Sequence, residues 1–155
     1  MIQHPRIRAT APSAGAKELG CLLLLTLALL LPFIRKPLHV DDPMYVWTAK
    51  HIVEHPVDFY GLDANWRGIV EPMAVFNHNP PGVSYWLALV GALLGWSEPA
   101  LHTGMLVPAV LAIVGVFLLA RSLGAPPGLA SLSLLAMPGF LVSATTLMAD
   151  VLATA

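Results

Sequence analysis

Charge is what this sequence has least of. Asp, Glu, Lys and Arg make up only 11% of its 155 residues, roughly half the share of a soluble domain. That scarcity excludes an ordinary water-facing surface. The charges present nearly cancel, eight Lys and Arg against nine Asp and Glu, so there is no basic field to attract nucleic acid. Cysteine is reduced to Cys21, which excludes an intrachain disulfide and leaves the redox compartment unread. A Gly-rich nucleotide loop and a Ser or Cys triad are also missing. His51 and His55 stand four apart, but no third ligand is near them in sequence, so no zinc site is expected.

What the chain does have is apolar residues, 57% of the total, bunched into runs rather than spread. The bunching predicts an all-α integral membrane protein. Residues 1–18 are polar, carry Arg6, Arg8 and Lys17, and read as a short disordered cytoplasmic tail. Residues 19–34 are leucine-rich and about one bilayer crossing long, with Lys17 and Arg35 snorkelling at the ends. A basic start before an apolar stretch also describes a signal peptide. This run ends Pro32-Phe33-Ile34-Arg35-Lys36-Pro37 without a small-x-small cleavage site, so an uncleaved transmembrane helix is expected.

Orientation is decided by residues 35–82. Arg6, Arg8 and Lys17 favour a cytoplasmic N-terminus, while Arg35 and Lys36 oppose it. The segment that follows is long, holds most of the acids, and contains Tyr45, Trp47, Tyr60 and Trp66, which suit an interfacial belt. It is placed outside, as an external loop of a multi-pass plasma (inner) membrane protein. Within it Asp42 is expected as a helix N-cap with Pro43 at the first helical position, opening a juxtamembrane helix over 42–55. Tyr45, Ala49, Ile52 and Val53 share one face of that helix, which is expected to lie along the membrane surface. An irregular loop follows to Gly82. Residues 83–155 supply further membrane helices at 83–97, 103–120 and 129–149, the last interrupted at Pro138-Gly139. The chain stops in mid-pattern, so it is expected to be truncated at the C-terminus.

The acidic pair Asp41-Asp42 directly after the first run is the leading candidate for chemistry. One carboxylate can act as general base toward a hydroxyl while the other orients it or holds a divalent cation. Asp42 also reads as a cap, whereas capping does not account for Asp41. Asp150 ends the last apolar run, and an acid at membrane depth marks either a site or the start of a polar loop. Asn77-His78-Asn79-Pro80-Pro81-Gly82 is a rigid polar loop, able to face phosphate or sugar hydroxyls or simply to lead into a helix. Tyr45, Arg67, His78 and Asn79 complete the candidate substrate-binding set.

The order of these motifs resembles a known group. His39-Val40-Asp41-Asp42-Pro43-Met44-Tyr45 is followed by Ala49-Lys50-His51-Ile52, His55-Pro56 and Asp58-Phe59-Tyr60-Gly61. Then come Asn79-Pro80-Pro81 with Tyr85, Gly95-Trp96-Ser97-Glu98-Pro99-Ala100-Leu101-His102, and Leu147-Met148-Ala149-Asp150-Val151. From about residue 20 onward the chain resembles the N-terminal third of the polytopic glycosyltransferases that use lipid-phosphate-linked sugars. That group includes the protein O-mannosyltransferases and the aminoarabinose transferases of lipid A (family 39-like). The resemblance implies a GT-C helical bundle with a large first external loop, and inverting transfer of a sugar from a polyprenyl-phosphate donor to an acceptor glycan, lipid or protein. It implies Asp41 as the essential acid and Asp150 as the second one. No cofactor is implied beyond a divalent cation. Two positions depart from the pattern: many members carry Glu-Lys where His78-Asn79 stands, and Arg where His102 stands. The fragment alone is expected to be inactive.

For Asp41 and Asp150 to serve one site, an even number of crossings must separate them, yet three apolar segments intervene. Either 83–97 does not cross fully, or all three cross and Asp150 lies elsewhere. The competing readings are a small non-enzymatic polytopic membrane protein and a piece of a transporter.

Overall fold

A computed structural model describes residues 12–155, with side chains from residue 15. Arg6 and Arg8 lie outside the described residues.

Helix α1 runs Pro12–Leu30, so residues 12–18 of the expected tail are helical, and a turn of 3-10 helix follows at Leu31–Phe33. Leucine loses little rotamer freedom in a helix, which favours this run. Its one β-branched residue, Thr26, donates its hydroxyl to the Leu22 carbonyl (2.8 Å), leaving no bare polar group in an apolar setting. Pro32, lacking an N–H, ends regular α-helix. Leu24 stays 70% exposed, an arrangement suited to lipid rather than water.

Helix α2 spans Asp42–Glu54 and packs on α4, Gly82–Leu94. Tyr45, Ala49 and Ile52 are buried there as their spacing indicates, in one core with Val83, Leu87 and Val90 of α4 and with Leu101 and Met105 from further along the chain. Val53, assigned to the same face, instead points outward and is 53% exposed. It lies a further 100° round the helix from Ile52, beyond the strip that α4 covers.

The segment between α2 and α4 is more ordered than a plain loop. Strands β1 (Asp63–Asn65) and β2 (Val70–Pro72) form a small antiparallel hairpin with Ala64 opposite Glu71. Its turn closes through Gly68 at φ +89°, a backbone conformation glycine adopts without steric cost. One helical turn, α3 (Met73–Phe76), leads on to Asn77. The fold is therefore mostly helical rather than all-α.

Helix α5 covers Glu98–Ser122, longer at both ends than expected, because the Ser97 hydroxyl accepts the Ala100 N–H (3.4 Å) and starts the helix early. Helices α4 and α5 approach closely at Gly104, whose carbonyl accepts the Trp86 indole N–H (3.2 Å). The expected helix at 129–149 divides into α6 (Pro127–Leu135) and α7 (Pro138–Ala144), bent by 66°. Pro138 removes a donor and its ring crowds the preceding turn, which accounts for the bend. A short α8 (Ala149–Thr154) follows. Leu22, Ala109, Ile113, Phe117, Leu135 and Phe140 form a second core shared by α1, α5, α6 and α7.

Among the described residues two helical segments are long and apolar enough to cross a membrane, Gly15–Phe33 and Glu98–Ser122, and the bent pair α6–α7 makes a third if it counts as one span. Helix α4, with 13 residues, is about 20 Å long, short of the roughly 30 Å hydrocarbon core.

Candidate functional site

The approach to α2 carries the one strained backbone position among non-glycine residues described, Val40 at φ +51°. A β-branched side chain is disfavoured there, so the surrounding structure must hold it. What holds it is Asp42. Contrary to its expected role, Asp42 is the first helical residue rather than the N-cap, and Asp41 occupies the cap position without a side-chain capping bond. The Asp42 carboxylate is fully buried. One oxygen accepts the His39 N–H (2.9 Å), folding the kinked turn back, and the other accepts the Leu147 N–H (2.8 Å) from 105 residues away. Both oxygens serve the backbone, so Asp42 pins the fold.

That pin sets the site. By fastening the start of α2 to Leu147, it brings Asp150, in the first turn of α8, toward Asp41. Tyr45, one turn into α2 from Asp41, is buried, 3% exposed. Burial raises the Tyr45 phenol above its ordinary 10.0, and the negative charges of Asp41, Asp150 and Asp42, with Tyr60 once that phenol ionises, raise it further. At neutral pH Tyr45 is thus a protonated hydroxyl, one helical turn along α2 from Asp41. Asp41 is half-buried and Asp150 exposed, and the Ser143 hydroxyl donates to Asp150 (3.3 Å).

Asn79 meets Asp150 across a cleft of about 330 Å³ that Pro80, Gly82, Val83 and Ala149 also line. The Tyr60 hydroxyl donates to the Asn79 carbonyl, tying the Pro80-Pro81 loop to the segment after α2. Burial raises the Tyr60 phenol as well. Asn77 accepts the Asn79 N–H on its side-chain oxygen (3.2 Å), an Asx turn, while its buried amide nitrogen has no partner.

Two other expected residues are not gathered here: Arg67 pairs with Glu71 (3.2 Å) beside the hairpin turn, and His78 is exposed. Lys50 lies over the Trp96 ring at 5.6 Å. Among the described residues, no three His, Cys, Asp or Glu side chains come together as a metal-holding group. Sequence reasoning missed Ser143, and it named Tyr60 and Asn77 without their contacts to Asn79. Only Asn77 carried a local signal, an Asn two residues before the residue preceding proline. The Leu147 contact depends on a backbone N–H and carries no signal in side-chain identity.

The arrangement offers a partly open carboxylate, a neutral phenol donor and a second acid at a cleft edge. Such a set can take the proton of a bound hydroxyl and hold that hydroxyl in place. No family model, curated protein or solved structure matches this chain.

Proposed function

We propose that the chain works as a membrane glycosyltransferase of the GT-C type, or as the N-terminal third of one. It transfers a sugar from a polyprenyl-phosphate donor to an acceptor hydroxyl at the outer membrane face. The observation that supports the reading is the hydrogen bond from the Leu147 N–H to Asp42, which fastens the start of α2, next to Asp41, to the segment that leads into Asp150. In the reaction Asp41 accepts the acceptor proton as the acceptor oxygen attacks the anomeric carbon. The bond from that carbon to the phosphate oxygen breaks with inversion, and polyprenyl phosphate leaves. Tyr45 donates a hydrogen bond within the site and Asp150 orients the groups in the cleft. The phosphate contact falls to residues other than Arg67, which is engaged with Glu71.

In this reading α1 and α5 cross the membrane, α4 does not, and the bent pair α6–α7 returns the chain. Its length supports α4 as the segment that stops short. The test is transfer of radiolabelled sugar from polyprenyl-phosphate donors in membranes expressing the complete gene, wild type beside Asp41→Asn. Loss of transfer by roughly a hundredfold or more at equal protein level is expected, the size of a general-base contribution. Undiminished transfer removes Asp41 from the mechanism.

A further inference from the structure

On the opposite side of α2 from Tyr45 lies an open groove of about 540 Å³, within the roughly 300–1,000 Å³ range of small-molecule sites. One wall is the outward face of α2: Trp47, Lys50, His51 and Glu54. The other is Leu62 and strand β1, with Asp63 and Asn65. Neither the pairing at Tyr45 nor the Asp150 cleft uses any of these side chains.

We propose that this groove binds a neutral saccharide chain. Trp47 keeps 37% of its surface exposed, yet it is not loose. Its ring packs edge-on against Trp66 (6.1 Å between centroids), and Trp66 stacks on Phe76 with 3° between planes. A braced, solvent-facing indole presents a flat apolar platform at low entropic cost. The polar lining is mixed. Glu54, Asp63 and Asn65 supply planar acceptors, Asn65 and Lys50 supply donors, and sugar hydroxyls need both. The charges argue against an anion, since two carboxylates stand against Lys50, and the Lys50 ammonium is drawn over Trp96. His51 is engaged with the Asp58 carbonyl (2.7 Å). Trp47 and Glu54 are six and thirteen residues from Asp41, about 9–20 Å along the helix. A chain held here lies with its unreacted part away from the acids. Its identification as the acceptor rests on the transfer reading above; the binding itself does not.

The test titrates the complete protein in lipid nanodiscs with maltotriose and chitotriose, following tryptophan fluorescence and saturation-transfer NMR, with triglutamate and trilysine as charged controls. Saturable binding of at least one trisaccharide is expected, weakened roughly tenfold by Trp47→Ala and kept by Trp47→Phe. Asp63→Asn, which leaves the aromatic brace intact, weakens binding as well. Absence of trisaccharide binding, binding unaffected by Trp47→Ala and Asp63→Asn, preference for trilysine, or quenching of Trp47 by brominated lipid each overturns the proposal. Asp41→Asn separates the two readings. Trisaccharide binding without any transfer by wild type leaves the groove and removes the glycosyltransferase; transfer without binding does the reverse.

Discussion

Two neighbouring carboxylates have opposite fates here, and the difference lies in which backbone N–H groups they reach. Asp42 satisfies two backbone donors, the buried one of Leu147 and the more open one of His39. Asp42→Ala leaves both unpaired and is expected to cost about 3 kcal/mol of stability, read by denaturant unfolding in detergent. Asp42→Asn keeps one good acceptor and costs less. Asp41→Asn is expected to leave stability nearly unchanged. A second prediction concerns Tyr45, whose phenol is raised in the fold. The folded state therefore holds this proton more tightly than the unfolded state. Its contribution to stability is complete below the ordinary phenol value of 10.0 and is lost as pH climbs through the raised value. Stability should fall on the alkaline side, and fall less in Tyr45→Phe. In a Tyr60→Phe background, Asp41→Asn and Asp150→Asn should each bring the Tyr45 tyrosinate absorbance titration down toward 10.0 while burial keeps it above. No movement with Asp150→Asn would place that acid away from Tyr45. At this scale the sequence singled out the acids but not what each one touches. An Asp-Pro pair looks the same whether Asp is the cap or the first helical residue, and only the fold brings Leu147 to it.

The close crossing of α4 and α5 rests on the absence of a side chain. A Cβ placed on Gly104 would stand 2.5 Å from both Val90 methyl carbons and 3.1 Å from the Val90 Cβ. Valine cannot swing clear as a long side chain would. Gly104→Ala is expected to destabilise by about 1–3 kcal/mol, and Val90→Ala in the same chain should recover part of that loss, a coupling visible in a double-mutant cycle. Additive losses would mean the helices do not meet there. Helix α2 was legible because Asp-Pro, the 3.6-residue apolar spacing and Pro56 mark its start, face and end. The break at Pro138 was legible because proline acts locally. The hairpin was not: each strand has only three residues, too few for alternation to show, and its one mark was Gly68 in the turn. Nor was the early start of α5, since its first turn, Glu98-Pro99-Ala100, is less apolar than the run it leads into and a hydropathy reading begins too late.

Over the whole molecule, the question is how acids 109 positions apart, Asp41 and Asp150, come to one side of a membrane. Composition predicted the apolar runs but not the crossings, because a count of apolar residues treats α4 and α5 alike. Length separates them: 13 residues against 25. If α5 crosses and the bent pair α6–α7 crosses back, Asp41 and Asp150 share a side, in keeping with the hydrogen bond from the Leu147 N–H to Asp42. This arrangement predicts a labelling pattern. In a Cys21→Ser background, Asn65→Cys in the hairpin and Thr154→Cys in α8 should react with a membrane-impermeant maleimide from the same side. Ser122→Cys, at the far end of α5, should react only from the other. All three positions are exposed, so a missing signal reflects sidedness rather than burial. If Ser122→Cys labels together with Asn65→Cys, α5 does not cross. If Thr154→Cys labels with Ser122→Cys, the bent pair is not a span. In that case Asp150 could not stand beside Tyr45 in the membrane-embedded protein, and the catalytic pairing would fall with it.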